Sequence, residues 1–185
     1  MFSVAILAGG ESRRFDGRDK SALVVGGRTI LERQIAELSA VTTDLLVIRR
    51  EDDLVPGCGP LGGLHAALIA ARADAVFVVA CDMPYVTAPF AVHLVCLAGA
   101  ADIVVPRTER GYHPLCAVYT RRCLAAVARR LAERKLKMLE LLDEMRTREV
   151  TADEMDRFGD HHRLLANVNT PAEYAGLEAL QGHEQ

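Results

Sequence analysis

The amino-acid sequence predicts an α/β fold of three layers, with a doubly wound, mostly parallel sheet at the centre. Three observations carry the prediction. Short continuous runs of β-branched and aliphatic residues recur along the chain (Phe2 to Leu7, Leu45 to Ile48, Val76 to Ala80, Ile103 to Pro106), as strands covered on both faces require. Segments with apolar residues at helical spacing separate them, and that alternation builds a sheet with helices on its faces. Glycine-, proline- or carboxylate-bearing loops follow the carboxyl ends of the first three strands, where such sheets bind ligands.

Taken in order, Phe2 to Leu7 is a strand running into Gly9-Gly10. Ala22 to Val25 is a short apolar piece and Gly26-Gly27 a turn, after which Thr29 caps a helix marked by Leu31, Ile35 and Leu38. Leu45 to Ile48 is the second parallel strand. Pro56, Gly57, Gly59 and Pro60 make Glu51 to Pro60 a loop, and Leu61, Leu64 and Leu68 lie on one stripe of the next helix. Val76 to Ala80 is a buried strand ending at Cys81-Asp82-Met83-Pro84; Thr87 to Leu97 is a helix and Ile103 to Pro106 a strand. Arg107 to Tyr112 is polar, Leu115 to Tyr119 is strand-like, and Leu124, Val127 and Leu131 mark a helix. The basic stretch Arg134-Lys135-Leu136-Lys137 leads into another helix through Met138, Leu142 and Met145. Val150 falls in a short strand, Leu164 to Val168 is apolar, and Thr170-Pro171 opens a last helix with proline in its first turn, ending in a frayed tail after Gln181.

The 185 residues, half hydrophobic and a quarter charged, fit one globular domain spanning residues 1–185. A net charge of −3 without long single-sign runs argues against a nucleic-acid or anionic-membrane surface. Cys58, Cys81, Cys96, Cys116 and Cys123 are odd in number and form no C-x-x-C pair, so neither a disulfide framework nor a zinc cluster is expected. Met1 leads directly into a strand-like run, without a basic leader segment or a membrane-length apolar run, and a cytoplasmic location is expected.

The chemistry concentrates in Leu7-Ala8-Gly9-Gly10-Glu11-Ser12-Arg13-Arg14 and Asp19-Lys20. Paired glycines after a strand let backbone N–H groups approach an anion closely. Ser12 adds a hydroxyl donor, Arg13 and Arg14 add planar guanidinium forks, and Lys20 adds a mobile point charge, which suits several phosphates better than one. A nucleoside triphosphate site is the reading. The stretch is neither G-x-x-x-x-G-K-[ST] nor G-x-G-x-x-G, since Asp19 precedes Lys20-Ser21. Asp52-Asp53 and Asp82 follow the second and third strands and should share one rim with the glycines. A single Asp with phosphate oxygens and waters suffices for Mg²⁺, and Asp82 is the expected ligand; its competing role is to start the turn into Met83-Pro84. His161-His162 falls in a polar stretch read as a solvated loop, no histidine has a convincing metal pattern, and Cys81 reads as a small buried residue. Charge neutralisation around a metal-bound triphosphate suits displacement at phosphorus.

These residues resemble the L-A-G-G-x-S-x-R-M-G-x-D-K signature of molybdenum cofactor guanylyltransferases. Four further stretches are similar to the family's motifs: Gly59-Pro60-Leu61-Gly62-Gly63-Leu64 to G-P-L-x-G, Cys81-Asp82-Met83-Pro84 to C-D-x-P, His113-Pro114-Leu115 to H-P-L, and Asn167-Val168-Asn169-Thr170-Pro171 to N-[VI]-N-T-P. The resemblance implies a nucleotide-diphospho-sugar transferase-like, Rossmann-like fold. It also implies transfer of GMP from Mg²⁺-GTP to the terminal phosphate of molybdopterin (Mo-molybdopterin), forming molybdopterin guanine dinucleotide and pyrophosphate, with molybdoenzyme-maturation proteins as candidate partners.

Carried over by resemblance, Gly9, Gly10, Arg14 and Lys20 take the triphosphate, Leu7 and Ala8 meet the nucleotide, and Asp82 holds magnesium. Asp53, with Asp52 as its alternative, fits the nucleotide-contacting Asp. His113, Asn167 and Asn169 fall on the molybdopterin side, and Lys135 and Lys137 resemble a basic loop there or are simply a solvated loop. Phe15-Asp16-Gly17 stands in place of Met-Gly, Ile48-Arg49-Arg50 replaces a small polar residue, and Ile48 to Gly59 is short. Gly-Gly in place of Ala-Gly favours the guanylyl branch by resemblance. The alternatives are a molybdopterin cytidylyltransferase, a sugar-phosphate nucleotidyltransferase, or a nucleotide-binding regulator without turnover.

Overall fold

The computed structural model describes residues 1–8, 24, 25, 27–52, 55 and 57–168. In chain order these form β1 (Ser3–Leu7), β2 (Val24–Val25), β3 (Arg28–Thr29), α1 (Ile30–Leu38), β4 (Leu45–Ile48), α2 (Gly59–Ala70), β5 (Ala75–Ala80), α3 (Ala88–Leu97), β6 (Ile103–Thr108), β7 (Gly111–Tyr112), β8 (Cys116–Thr120), α4 (Leu124–Ala132), α5 (Met138–Glu144), β9 (Thr147–Val150), α6 (Ala152–Met155) and α7 (His161–Leu164). The helix expected from Thr170-Pro171 and the tail lie outside the described residues.

Seven strands form one sheet in the order β4-β1-β5-β8-β6, with β7 and β9 both joined to β6; β2 and β3 pair separately as an antiparallel hairpin. β1 is parallel to both β4 and β5, and β6 to β9. β8 runs antiparallel between β5 and β6. The sheet is therefore mostly parallel, as expected, with one inserted reversed strand whose direction leaves no mark in the run Leu115 to Tyr119.

Side chains alternate across a strand, and the sheet consequently separates two cores. Ala5, Val76, Val78, Ala117 and Tyr119 face α2, α4 and α5. Val4, Ile6, Phe77, Val79 and Val118 face α1, α3, α6 and α7. Both faces are covered, which explains why the strands read as unbroken apolar runs.

Thr29 caps α1 as the sequence indicates: its hydroxyl accepts from Glu32 N (3.1 Å) and its own N–H donates to Glu32 Oε2 (2.8 Å), closing a capping box. The stripe itself is rotated from the expected one. Ile30, Gln34 and Leu38, four residues apart, are the buried positions, while Leu31 and Ile35 are only partly buried at its flank. The apolar count favoured the flank because the middle residue of the true stripe is polar. The polar segment after Arg107 is also more ordered than a connection, since β6 continues to Thr108 and turns back as β7. Likewise His161 and His162 sit on α7 rather than in a loop, because Asp160 caps that turn by accepting from His162 N (2.9 Å).

Two buried carboxylates pin the amino ends of strands. Asp44, just before β4, accepts from Ser3 Oγ (2.5 Å) and Arg72 N (2.9 Å). Asp102, just before β6, takes Arg146 and Arg122; the Arg146 guanidinium first, then Arg122, hold its carboxyl well below the usual range. These are structural uses of Asp, at the edge opposite the one the motifs mark. Among the described residues no helix is long and apolar enough to cross a membrane.

Candidate active site

Four backbone hydrogen bonds assemble the carboxyl edge of the sheet. Ala8 N donates to Ile48 O (2.7 Å), Cys81 N to Leu7 O (3.1 Å), Ala80 N to Leu115 O (2.8 Å) and Val168 N to Asp82 O (2.9 Å). The first two follow from the parallel pairing of β1 with β4 and β5, which puts Leu7 beside Ile48 and Ala80. The last two bring in distant segments. As a result Leu7, Ala8, Asp82 and the exposed Asn167 share one rim.

The turn carrying Asp82 is held from below by Gln34. Its Nε2 donates to Ala80 O (2.8 Å) and Met83 O (3.0 Å) from a side chain 1% exposed. Gln34 carries no motif; its only signal in the sequence is a polar residue at the centre of an i, i+4, i+8 set that is buried, with Ile30 and Leu38 on either side. Gln34→Leu is expected to lower stability by about 1–3 kcal/mol, because it removes the buried amide that donates to Ala80 O and Met83 O. Urea unfolding checks the loss, and steady-state assay of the same variant checks an accompanying fall in turnover from a loosened Asp82.

α2 starts at the same edge. Gly59 takes a left-handed φ of +57°, and a Cβ on Gly63 would meet Leu7 Cδ2 at 3.4 Å, so the helix packs close to the end of β1. Its first-turn amides add partial positive charge there. Asp52 Oδ2 accepts from Arg49 N (2.7 Å) and so closes the short 3₁₀ turn Arg50–Asp52, a local structural task.

His113 reaches the edge through β8, whose first residue Cys116 pairs with Val79 near the end of β5. His113 N donates to Pro106 O (2.9 Å), and its Nε2 lies 3.1 Å from Thr108 Oγ1. Burial pulls the imidazole pKa below its usual value, favouring the neutral ring. Lys135 and Lys137 are exposed and lie 2.8 Å from Glu133 and 3.6 Å from Glu140. Their loop is fastened by Arg130, 2% exposed, which bonds Glu140 (2.6 Å), Glu144 and Lys137 O (3.2 Å). Arg134, at φ 56°, places Nη1 3.5 Å from Cys58 Sγ beside the start of α2. Gly9, Gly10, Ser12, Arg13, Arg14, Lys20, Asp53 and Asn169 lie outside the described residues.

Beyond the Asp82 turn opens a cavity of about 810 Å³ that sequence reading did not foresee, with Arg28, Arg33, Tyr85, Phe158, Asp160 and Arg163 among its walls. The Arg163 guanidinium sits 4.8 Å above the Tyr85 ring, a cation–π contact. These residues come from three separate segments without a common spacing, so no linear pattern announces the cavity.

The donor chemistry of the rim suits a hard divalent cation. Asp82 offers carboxylate oxygens at a half-buried position, and Mg²⁺ is held through one or two carboxylates plus substrate phosphates.

A family model described as the MobA-like NTP transferase domain matches residues 4–148. A curated relative named molybdenum cofactor guanylyltransferase, from Desulfosudis oleivorans, is 32% identical over 94% of this chain and 93% of its own length. The crystal structure of molybdopterin-guanine dinucleotide biosynthesis protein A from Archaeoglobus fulgidus superposes with a TM-score of 0.86 at 24% identity, covering 98% of this chain and 99% of that one. A 2-C-methyl-D-erythritol 4-phosphate cytidylyltransferase from Thermus thermophilus shares the fold at a TM-score of 0.70 and 18% identity, covering 96% and 97% of the two chains.

Proposed function

Because this chain belongs to the MobA-like NTP transferase domain family and is therefore a nucleotidyltransferase, we propose that it transfers GMP from Mg²⁺-GTP to the terminal phosphate of molybdopterin, releasing pyrophosphate and forming molybdopterin guanine dinucleotide. The observation that carries the reading is the set of backbone bonds gathering Leu7-Ala8, Asp82 and Asn167-Val168 on one edge. The name of the relative from Desulfosudis oleivorans supports the choice of GMP and of the molybdenum cofactor.

In this reading an oxygen of the molybdopterin phosphate attacks the α-phosphorus of GTP while the bond from that phosphorus to the bridging oxygen of pyrophosphate breaks. The protein contributes position and charge rather than a covalent nucleophile. Leu7 and Ala8 offer backbone to the nucleotide, and Gly9, Gly10 and Ser12 offer donors to its phosphates. Arg13, Arg14 and Lys20 neutralise the triphosphate. By resemblance Asp53, or Asp52 beside it, takes the nucleotide contact; Asp52 Oδ2 also accepts from Arg49 N. Asp82 would hold Mg²⁺ together with phosphate oxygens, and the bound ion would offset negative charge on the phosphates. His113, Asn167 and Asn169 orient the acceptor, with neutral His113 as a hydrogen-bonding rather than a charged group. Lys135 and Lys137 attract the acceptor phosphate.

Pyrophosphate release tests the proposal, measured with molybdopterin and Mg²⁺ and with GTP, CTP, ATP or UTP in turn. GTP is expected to support release and the others to do so at most weakly. Faster release from CTP would overturn the guanylyl assignment, and tight GTP binding without release would make the protein a nucleotide-binding regulator.

A further inference from the structure

On the same side of the sheet, beside His113, the turn between β6 and β7 meets α7 in a cluster of imidazoles and carboxylates. Ligand atoms of Asp160, His161 and His162 lie within 4.8 Å of one another. Across from them stands Glu109: its Oε2 is 4.0 Å from His161 Nε2 and its Oε1 is 3.9 Å from His162 Nδ1. Behind the cluster, Asp156 Oδ1 sits 2.8 Å from His161 Nδ1 and also accepts from His161 N (3.0 Å).

That arrangement leaves an electrostatic gap. With Nδ1 engaged by Asp156, the other ring nitrogen of His161, Nε2, is turned toward Glu109. Nε2 is buried and has no hydrogen-bond partner among the described residues, yet it faces a carboxylate oxygen. The 4.0 Å between that nitrogen and the Glu109 oxygen leaves room for a cation between them. A carboxylate on the far nitrogen of a histidine is also the usual support for a metal-binding imidazole, because it fixes the tautomer and raises the basicity of the free nitrogen.

We infer that Asp160, His161 and His162 form a binding site for a borderline divalent transition ion, of which Zn²⁺ is the representative, with Glu109 facing both imidazoles as an additional carboxylate and Asp156 orienting His161. Imidazole with carboxylate suits such an ion, whereas Mg²⁺ prefers an all-oxygen shell. Ligand atoms about 2.1 Å from a tetrahedral zinc lie about 3.4 Å apart. The ligand atoms of Asp160, His161 and His162, within 4.8 Å of one another, with Glu109 at 3.9 and 4.0 Å from the two rings, would draw in to that spacing around a bound ion. The ion would tie the β6–β7 hairpin to α7. Those two elements lead directly into His113 and Asn167, so its effect would be to stiffen the acceptor wall rather than to take part in transfer.

The test is zinc titration of the untagged full chain by calorimetry, with excess Mg²⁺ present to occupy Asp82. Visible absorption of the Co²⁺ form reports the ligand field. One equivalent is expected, with affinity reduced about tenfold or more by either His162→Ala or Glu109→Gln. Circular dichroism of the two variants should match the parent, which separates lost ligation from lost fold. Asp82→Ala should take up zinc normally. Failure of the parent to bind, unchanged affinity in both variants, or loss of binding in Asp82→Ala would each overturn the site. None of these readouts depends on nucleotide transfer.

Discussion

Asp82→Ala is expected to lower Mg²⁺-dependent turnover on the order of 10³-fold while leaving the protein folded. The magnitude follows from removing several kcal/mol of charge stabilisation at the reacting phosphates, each 1.4 kcal/mol being about a factor of ten. The folded state should tolerate the change because the Asp82 carbonyl, which accepts from Val168 N, is backbone and survives in alanine. The Gln34 bonds to Ala80 O and Met83 O likewise involve no Asp82 side-chain atom. Steady-state pyrophosphate release beside thermal unfolding decides the matter. A near-normal rate would remove Asp82 from the metal role, and a collapsed unfolding midpoint would make the residue a structural turn former.

Lys20→Ala is expected to cost on the order of 10²- to 10³-fold in kcat, the range for deleting one preorganised group that meets developing charge. Lys20 lies outside the described residues, so this prediction rests on the sequence motif. Separating kcat from KM makes it informative. A fall in kcat means that Lys20 stabilises the transition state more than bound GTP; a rise confined to KM would mean that it holds both equally. Lys20→Arg keeps the charge but changes its shape, and partial recovery in that variant would assign the effect to charge.

The central strands were legible in the sequence because both faces of the sheet are buried, leaving unbroken runs such as Val76 to Ala80, whereas the short polar β3 and β7 were not. The direction of β8 was not, since antiparallel insertion between β5 and β6 is decided by distant pairing and leaves the local residues unchanged. Short helices escaped for a related reason. The four residues of α7 hold too little periodicity to register, and only the cap at Asp160 betrays them.

At the edge of the sheet, Asp82 and the segment after β1 could be placed together because a parallel sheet puts strand ends on one rim, whereas Asn167, which follows α7 rather than a strand, is brought there by the bond from Val168 N to Asp82 O. Gln34 could not be read as easily. Its role depends on two carbonyls more than forty residues away in sequence, and it sits where an apolar residue would be assumed. The cavity walled by Arg28, Arg33 and Arg163 is likewise a product of tertiary assembly.

The most direct test of the account is a crystal structure of the protein with Mg²⁺ and GTP in the absence of acceptor. A metal ion is expected about 2.1 Å from an Asp82 carboxylate oxygen, with the triphosphate lying over the segment that follows Ala8. GTP seated instead in the arginine-walled cavity beside Tyr85, with Asp82 contacting neither metal nor phosphate, would contradict it.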